Sequence, residues 1–157
     1  MTIIERLRQY KELDPHKIAL IVDDKKYTYG DLYDAILSID INDTSRIVNV
    51  AQTKESSKHI VALIQSQSFV EQLVQWLGGL YTGYIPMVCH NEMDTEYVEK
   101  LARFIAYKGV VPLADFGVLT SGTTGRPKPL WRSESSWREF FDIQNDIFHI
   151  NKDTKIF

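Results

Sequence analysis

Apolar positions along the chain recur at two spacings, helical and alternating, and the switches between them outline a series of helices and strands. Thr2 and Glu5 stand at capping-box spacing, and Ile3, Ile4 and Leu7 follow on one helical face. This first helix is predicted to stop before Pro15, because proline pushes its predecessor out of the helical region. The run Lys17 to Val22, a polar turn from Asp23 to Lys26 and the extended pattern Tyr27-Thr28-Tyr29 predict a β-hairpin. A second helix follows, with Leu32, Ile36 and Leu37 on one face, and then a candidate strand at Arg46 to Ala51.

The continuous apolar run Ile60 to Ile64, bounded by polar residues, has the pattern of a buried parallel strand. The next helix carries Phe69, Val70, Leu73, Trp76, Leu77 and Leu80, and Gly83 is predicted to end it. Ile85 to Val88 supplies a second short strand, so the segment reads as a βαβ unit. A further helix is predicted over Glu92 to Tyr107, with Tyr97, Leu101, Phe104 and Ile105 apolar, followed by a strand at Phe116 to Leu119. Beyond a Gly/Thr-rich stretch, Ser136 and Glu139 suggest another capping box, and Trp137, Phe140, Phe141, Ile147 and Phe148 an apolar face. The alternation predicts an α/β fold, part of a doubly wound, largely parallel sheet with flanking helices. No repeat, low-complexity segment or linker interrupts it.

Composition narrows the function. Hydrophobic residues are 44% and charged residues 25% of the 157, enough apolar material for one core. The net charge of −3 comes without a cluster of Lys and Arg, so a nucleic-acid partner is not expected. No apolar run reaches the length of a membrane span, and the N-terminus reads as a helix start, not a signal peptide. The lone cysteine, Cys89, has no internal disulfide partner, which suits a reducing cytoplasm. His16, His59, His90 and His149 have no metal-ligand spacing, and no metal site is expected.

The candidate chemistry lies in Thr120-Ser121-Gly122-Thr123-Thr124-Gly125-Arg126-Pro127-Lys128. Gly122 and Gly125 permit backbone angles closed to other residues and let the main chain approach a ligand. Successive N–H groups can then converge on phosphate oxygens. Ser121, Thr123 and Thr124 add hydroxyls, and Lys128 adds a mobile point charge. A plain surface turn would draw on the same residue types, so the weight rests on the whole nine-residue string. The spacing is not that of a Walker A loop.

This string resembles the phosphate loop of the adenylate-forming superfamily, which includes acyl- and aryl-CoA synthetases, luciferases and the adenylation domains of nonribosomal peptide synthetases. The family loop reads Thr-Ser-Gly-Thr/Ser-Thr-Gly-x-Pro-Lys, and residues 120 to 128 match each specified position. Tyr27-Thr28-Tyr29-Gly30-Asp31-Leu32 resembles the family's Thr-Tyr-x-Glu-Leu element, and Leu80 to Pro86 its Ala-Gly-x-x-Pro element, in the right order. The chain departs from the family at Pro129, where Gly is usual, and at Glu134, where many members have His. The stretch from Pro86 to Thr120 is also shorter than the family's.

The resemblance implies that residues 1–157 are the N-terminal portion of the large adenylate-forming domain, without the small C-terminal domain that carries the catalytic lysine. It implies Thr120, Ser121, Gly122, Thr123, Thr124, Gly125 and Lys128 as phosphate-binding residues, with no catalytic residue in this portion. ATP with Mg²⁺ is the implied substrate, a carboxylic acid its partner, and CoA or a carrier-protein thiol the acceptor. The implied reaction is acyl-adenylate formation followed by thioester formation; exchange activity by this portion alone is not expected. A different class remains open: a non-catalytic nucleotide-binding or interaction module derived from the same fold. Half of a doubly wound sheet leaves a bare strand edge and an uncovered apolar face, so self-association is expected. Trp76 and Trp137 fit core faces, whereas Trp131 and Arg132, just past the loop, are candidates for nucleotide or partner contact. Cys89 and His90, as neighbours on a strand, point to opposite faces and do not suit a catalytic pair.

Overall fold

A computed structural model describes residues 1–51, 59–120, 127–151 and 154. Helix α1 (Ile3–Leu13) starts at the predicted capping box: the Glu5 N–H donates to Thr2 Oγ1, and the Thr2 N–H to the Glu5 carboxylate. That carboxylate is held below its ordinary pKa, chiefly by the Thr2 N–H. The hairpin β1 (Ile18–Val22) and β2 (Lys25–Thr28) forms a small antiparallel sheet of its own. The sequence pattern places Lys25 and Lys26 in the turn, whereas they belong to β2. Asp23 and Asp24 both adopt positive φ (48° and 63°), so two residues suffice to reverse the chain.

Thr28 ends β2 and also caps α2 (Tyr29–Ser38), in a second capping box with Asp31. Helix α2 buries Leu32 and Ile36. Leu37, expected beside them, is 48% exposed, because it lies one residue further round the helix. A short helix α3 (Ile41–Thr44), not anticipated from the pattern, leads into β3 (Arg46–Asn49).

Strands β4 (Ile60–Ile64), β5 (Ile85–Val88) and β6 (Phe116–Thr120) pair in parallel, with α4 (Phe69–Tyr81) connecting β4 to β5 and α5 (Thr95–Lys108) connecting β5 to β6. Gly83, at φ 81°, turns the chain out of α4 as expected. Helix α5 starts three residues later than its apolar pattern suggests, because Asp94 supplies the cap, accepting from the Tyr97 N–H at 2.6 Å. A fifth strand, β7 (Lys128–Arg132), was not read from the sequence: Pro127 and Pro129 disguise it, and as an edge strand it tolerates them. The sheet order is β3-β4-β5-β6-β7, with a parallel centre and antiparallel strands at both ends.

Helices cover both faces. On one, Val48, Val61, Leu63, Ile85 and Met87 pack with Val98, Leu101, Ala102 and Ile105 of α5. On the other, α4 lies so close that a Cβ on Gly79 would stand 3.0 Å from Pro86. Leu77 of α4 joins Leu7 and Ile36 in a second cluster beneath α1 and α2.

The chain continues through α6 (Glu134–Arg138) and α7 (Phe141–Phe148). Ser133, not Ser136, caps α6: its hydroxyl accepts from the Ser136 N–H, so the Ser136/Glu139 box is not formed. The expected apolar face is not buried. Phe140, Phe141, Ile147 and Phe148 are exposed, as are Phe69 and Phe104 on earlier helices. Trp137, expected in the core, is 50% exposed, although its ring meets Phe116 edge-on at 5.2 Å. Trp76 is half-buried, and its ring also meets that of Phe116 in a T-shaped contact, at 5.4 Å.

Candidate phosphate-binding loop

The parallel strands all end on one side of the sheet, where open α/β sheets place their ligands. The turns leaving β4 and β5 are fastened to each other there. The Gln65 side-chain amide donates to the carbonyls of His90 and Met93, at 3.1 and 2.8 Å, and the Asn91 amide to Gln67 Oε1 at 2.8 Å. Strand β6 emerges beside them and delivers Thr120, opposite Lys128 in the β6–β7 register.

Of the residues singled out from the sequence, Thr120 and Lys128 are therefore brought together. The Thr120 hydroxyl lies 3.4 Å from both the N–H and the carbonyl of Lys128, a long contact in each case. Ser121, Gly122, Thr123, Thr124 and Gly125 lie outside the described residues, as does Arg126. The described residues on either side of 121–126, Thr120 and Lys128, are paired across the adjacent antiparallel strands β6 and β7.

Two clefts meet at Pro127. One, of about 720 Å³, opens over the strand ends between Gln72 and Trp76 of α4 and Val118 to Thr120 of β6. The other, of about 710 Å³, lies between Tyr97, Lys100 and Phe104 of α5 and the Pro127-Lys128-Pro129 corner. Between them the Tyr97 hydroxyl donates to the Pro127 carbonyl at 2.5 Å. The helical pattern marks Tyr97 only as an apolar position. The signal it carried was its type, since a tyrosine hydroxyl on a core face requires a partner.

Trp131 and Arg132 part company. Trp131 packs against the main core over Gly117, while Arg132 is exposed. Cys89 and His90 lie just past the end of β5 at Val88, not on the strand as expected; Cys89 is fully buried, its thiol pushed up to about 11 by desolvation, whereas the His90 side chain is exposed.

No protein-family model matches the chain. In fold it is similar to two solved structures, each at 15% identity or less. O-succinylbenzoate CoA synthetase (MenE) from Bacillus subtilis, solved in complex with ATP and magnesium ion, superposes with a TM-score of 0.63 at 14% identity, over 96% of this chain and 48% of that one. The N-terminal subdomain of Klebsiella oxytoca NpsA, bound to 3-hydroxyanthranilyl-AMSN, gives 0.53 at 15% identity, over 85% and 40%. In sequence the chain resembles VraA of Staphylococcus aureus, provisionally named a long chain fatty acid-CoA ligase: 24% identity over 98% of this chain and 36% of VraA. VraA of Staphylococcus epidermidis is 25% identical over 86% of this chain and 32% of its own length. The chain thus spans about a third of the curated relatives it matches.

Proposed function

We propose that residues 1–157 are the N-terminal portion of the large domain of an ATP-dependent carboxylate-activating ligase, in which Thr120, Ser121, Gly122, Thr123, Thr124, Gly125 and Lys128 hold the nucleotide's phosphates. The parent reaction is carboxylate plus MgATP giving acyl-adenylate and pyrophosphate, then transfer of the acyl group to a thiol of CoA or a carrier protein. One observation carries the reading: the sheet pairs Thr120 with Lys128 at the carboxyl end of β6, so both ends of the phosphate-loop string are anchored over the clefts. The work of this portion is to position phosphate and neutralise charge as pyrophosphate leaves.

Lys128→Ala tests it. Losing one charge-assisted hydrogen bond should cost about 1.5–3 kcal/mol. Titration calorimetry with Mg²⁺-tripolyphosphate should then read a Kd raised roughly ten- to a hundred-fold. Arg126→Ala, at the position where the family loop accepts any residue, should change it little. A silent Lys128→Ala beside a damaging Arg126→Ala would return the string to an ordinary turn.

The exposed apolar residues of α6 and α7 support self-association as well, and the single buried thiol suits a cytoplasmic setting. Light scattering at high concentration reads the first; a clean monomer would refute it.

A further inference from the structure

We propose that Tyr97 is a positioning residue for Lys128, a role that rests on the phosphate-loop reading above. Each part of the tyrosine is held. Its backbone N–H is bound by the Asp94 cap of α5 at 2.6 Å, its ring packs against the main core, and its hydroxyl donates to the Pro127 carbonyl at 2.5 Å. The helix, itself seated on the sheet through Leu101 and Ile105, thereby fixes the peptide that leads into Lys128. The backbone on either side has little freedom left. Pro127 locks its own φ, and Pro129 restricts Lys128 to the extended region. The Thr120 hydroxyl makes only long contacts to Lys128, so beyond the β6–β7 pairing the Tyr97 hydroxyl adds a short bond to the peptide that leads into the lysine. A lysine side chain is flexible, so its backbone anchor decides how tightly its charge is confined near an anion. Holding that anchor still lowers the ordering that binding must impose, which is preorganisation.

The test is a double-mutant cycle on the full chain, with Mg²⁺-tripolyphosphate as the probe in titration calorimetry. Tyr97→Phe keeps the ring and its packing and removes only the hydroxyl, and circular dichroism confirms that the variant is folded. The expected result is a Kd raised about three- to ten-fold, as for loss of one neutral hydrogen bond. In the Lys128→Ala background the same substitution should change nothing further, because its effect runs through the lysine. A Tyr97→Phe Kd equal to the parent's, or a loss of the same size with and without Lys128, overturns the positioning role while leaving the phosphate loop intact. A parent chain that does not bind tripolyphosphate overturns both.

Discussion

Gly117→Ala adds one methyl group at a crowded point of the sheet. Gly117 lies in β6 opposite Met87 on one side and Trp131 on the other. A Cβ there would stand 2.2 Å from the Met87 methyl and 2.9 and 3.1 Å from Cζ3 and Cε3 of the Trp131 ring. Ordinary carbon contacts are about 3.5–4.0 Å, so both neighbours must move. The Met87 methyl terminates a flexible side chain, but Met87 is fully buried and has little space to retreat into. The Trp131 ring is rigid and moves only as a whole. Overpacking of this kind costs about 1–3 kcal/mol. Alanine also removes backbone freedom from the unfolded chain, which offsets about 0.4–1 kcal/mol. The overpacking wins, and the net loss should be about 1–2 kcal/mol. Urea unfolding followed by fluorescence should show a lower midpoint at an unchanged slope. Trp131→Leu in the same chain should recover part of the loss, so the two substitutions are coupled with the opposite sign to a lost contact. A Gly117→Ala variant as stable as its parent, or more so, would refute the reasoning.

Cys89 should be silent to a disulfide reagent at pH 8 in the folded chain and react fully in urea, because it is buried and its thiol is raised to about 11. Folding holds that proton above the ordinary 9.0, so the stability it contributes is complete below about pH 8 and falls as pH rises from 9 towards 11. Against a Cys89→Ala control, the pH-dependent loss attributable to the thiol should approach 2–3 kcal/mol, roughly what a shift of two pKa units is worth. A flat difference between the two would contradict the shift. Glu134→Ala should loosen the start of α1, since its carboxylate accepts from the Ile3 N–H at 2.9 Å. A cap of this kind is worth about 0.5–2 kcal/mol, and faster hydrogen exchange confined to the first turn of α1 is the expected reading.

Much of the fold was legible because its signals are local. Capping at Thr2, the run Ile60 to Ile64 and the stop at Gly83 each follow from a few adjacent residues. What escaped depends on distant partners. Pro127 and Pro129 argue against a strand until β6 is known to lie on one side only. Trp137 belongs to an apolar pattern whose burial no periodicity decides, because that depends on what lies against it. The loop was conspicuous by its residue string, yet its anchor at Tyr97 was not, since thirty positions separate the hydroxyl from the carbonyl it meets. The Gln65 clamp was equally hidden, as nothing around Gln65 marks a side chain that spans to the next turn.

The way the chain leaves the phosphate-loop string has an electrostatic consequence. Many nucleotide sites run from a glycine-rich turn directly into a helix, whose aligned peptide dipoles place about half a positive charge at the anion. Here the chain re-enters the sheet as β7, and strand dipoles nearly cancel. If an anion is held at residues 120–128 as proposed, β7 brings no macrodipole to it, and the full charge of Lys128 carries much of the attraction. Formal charge in solvent is screened by added salt over about 10 Å at 0.1 M. Polyphosphate affinity should therefore fall steeply with ionic strength, and most of that dependence should vanish with the lysine.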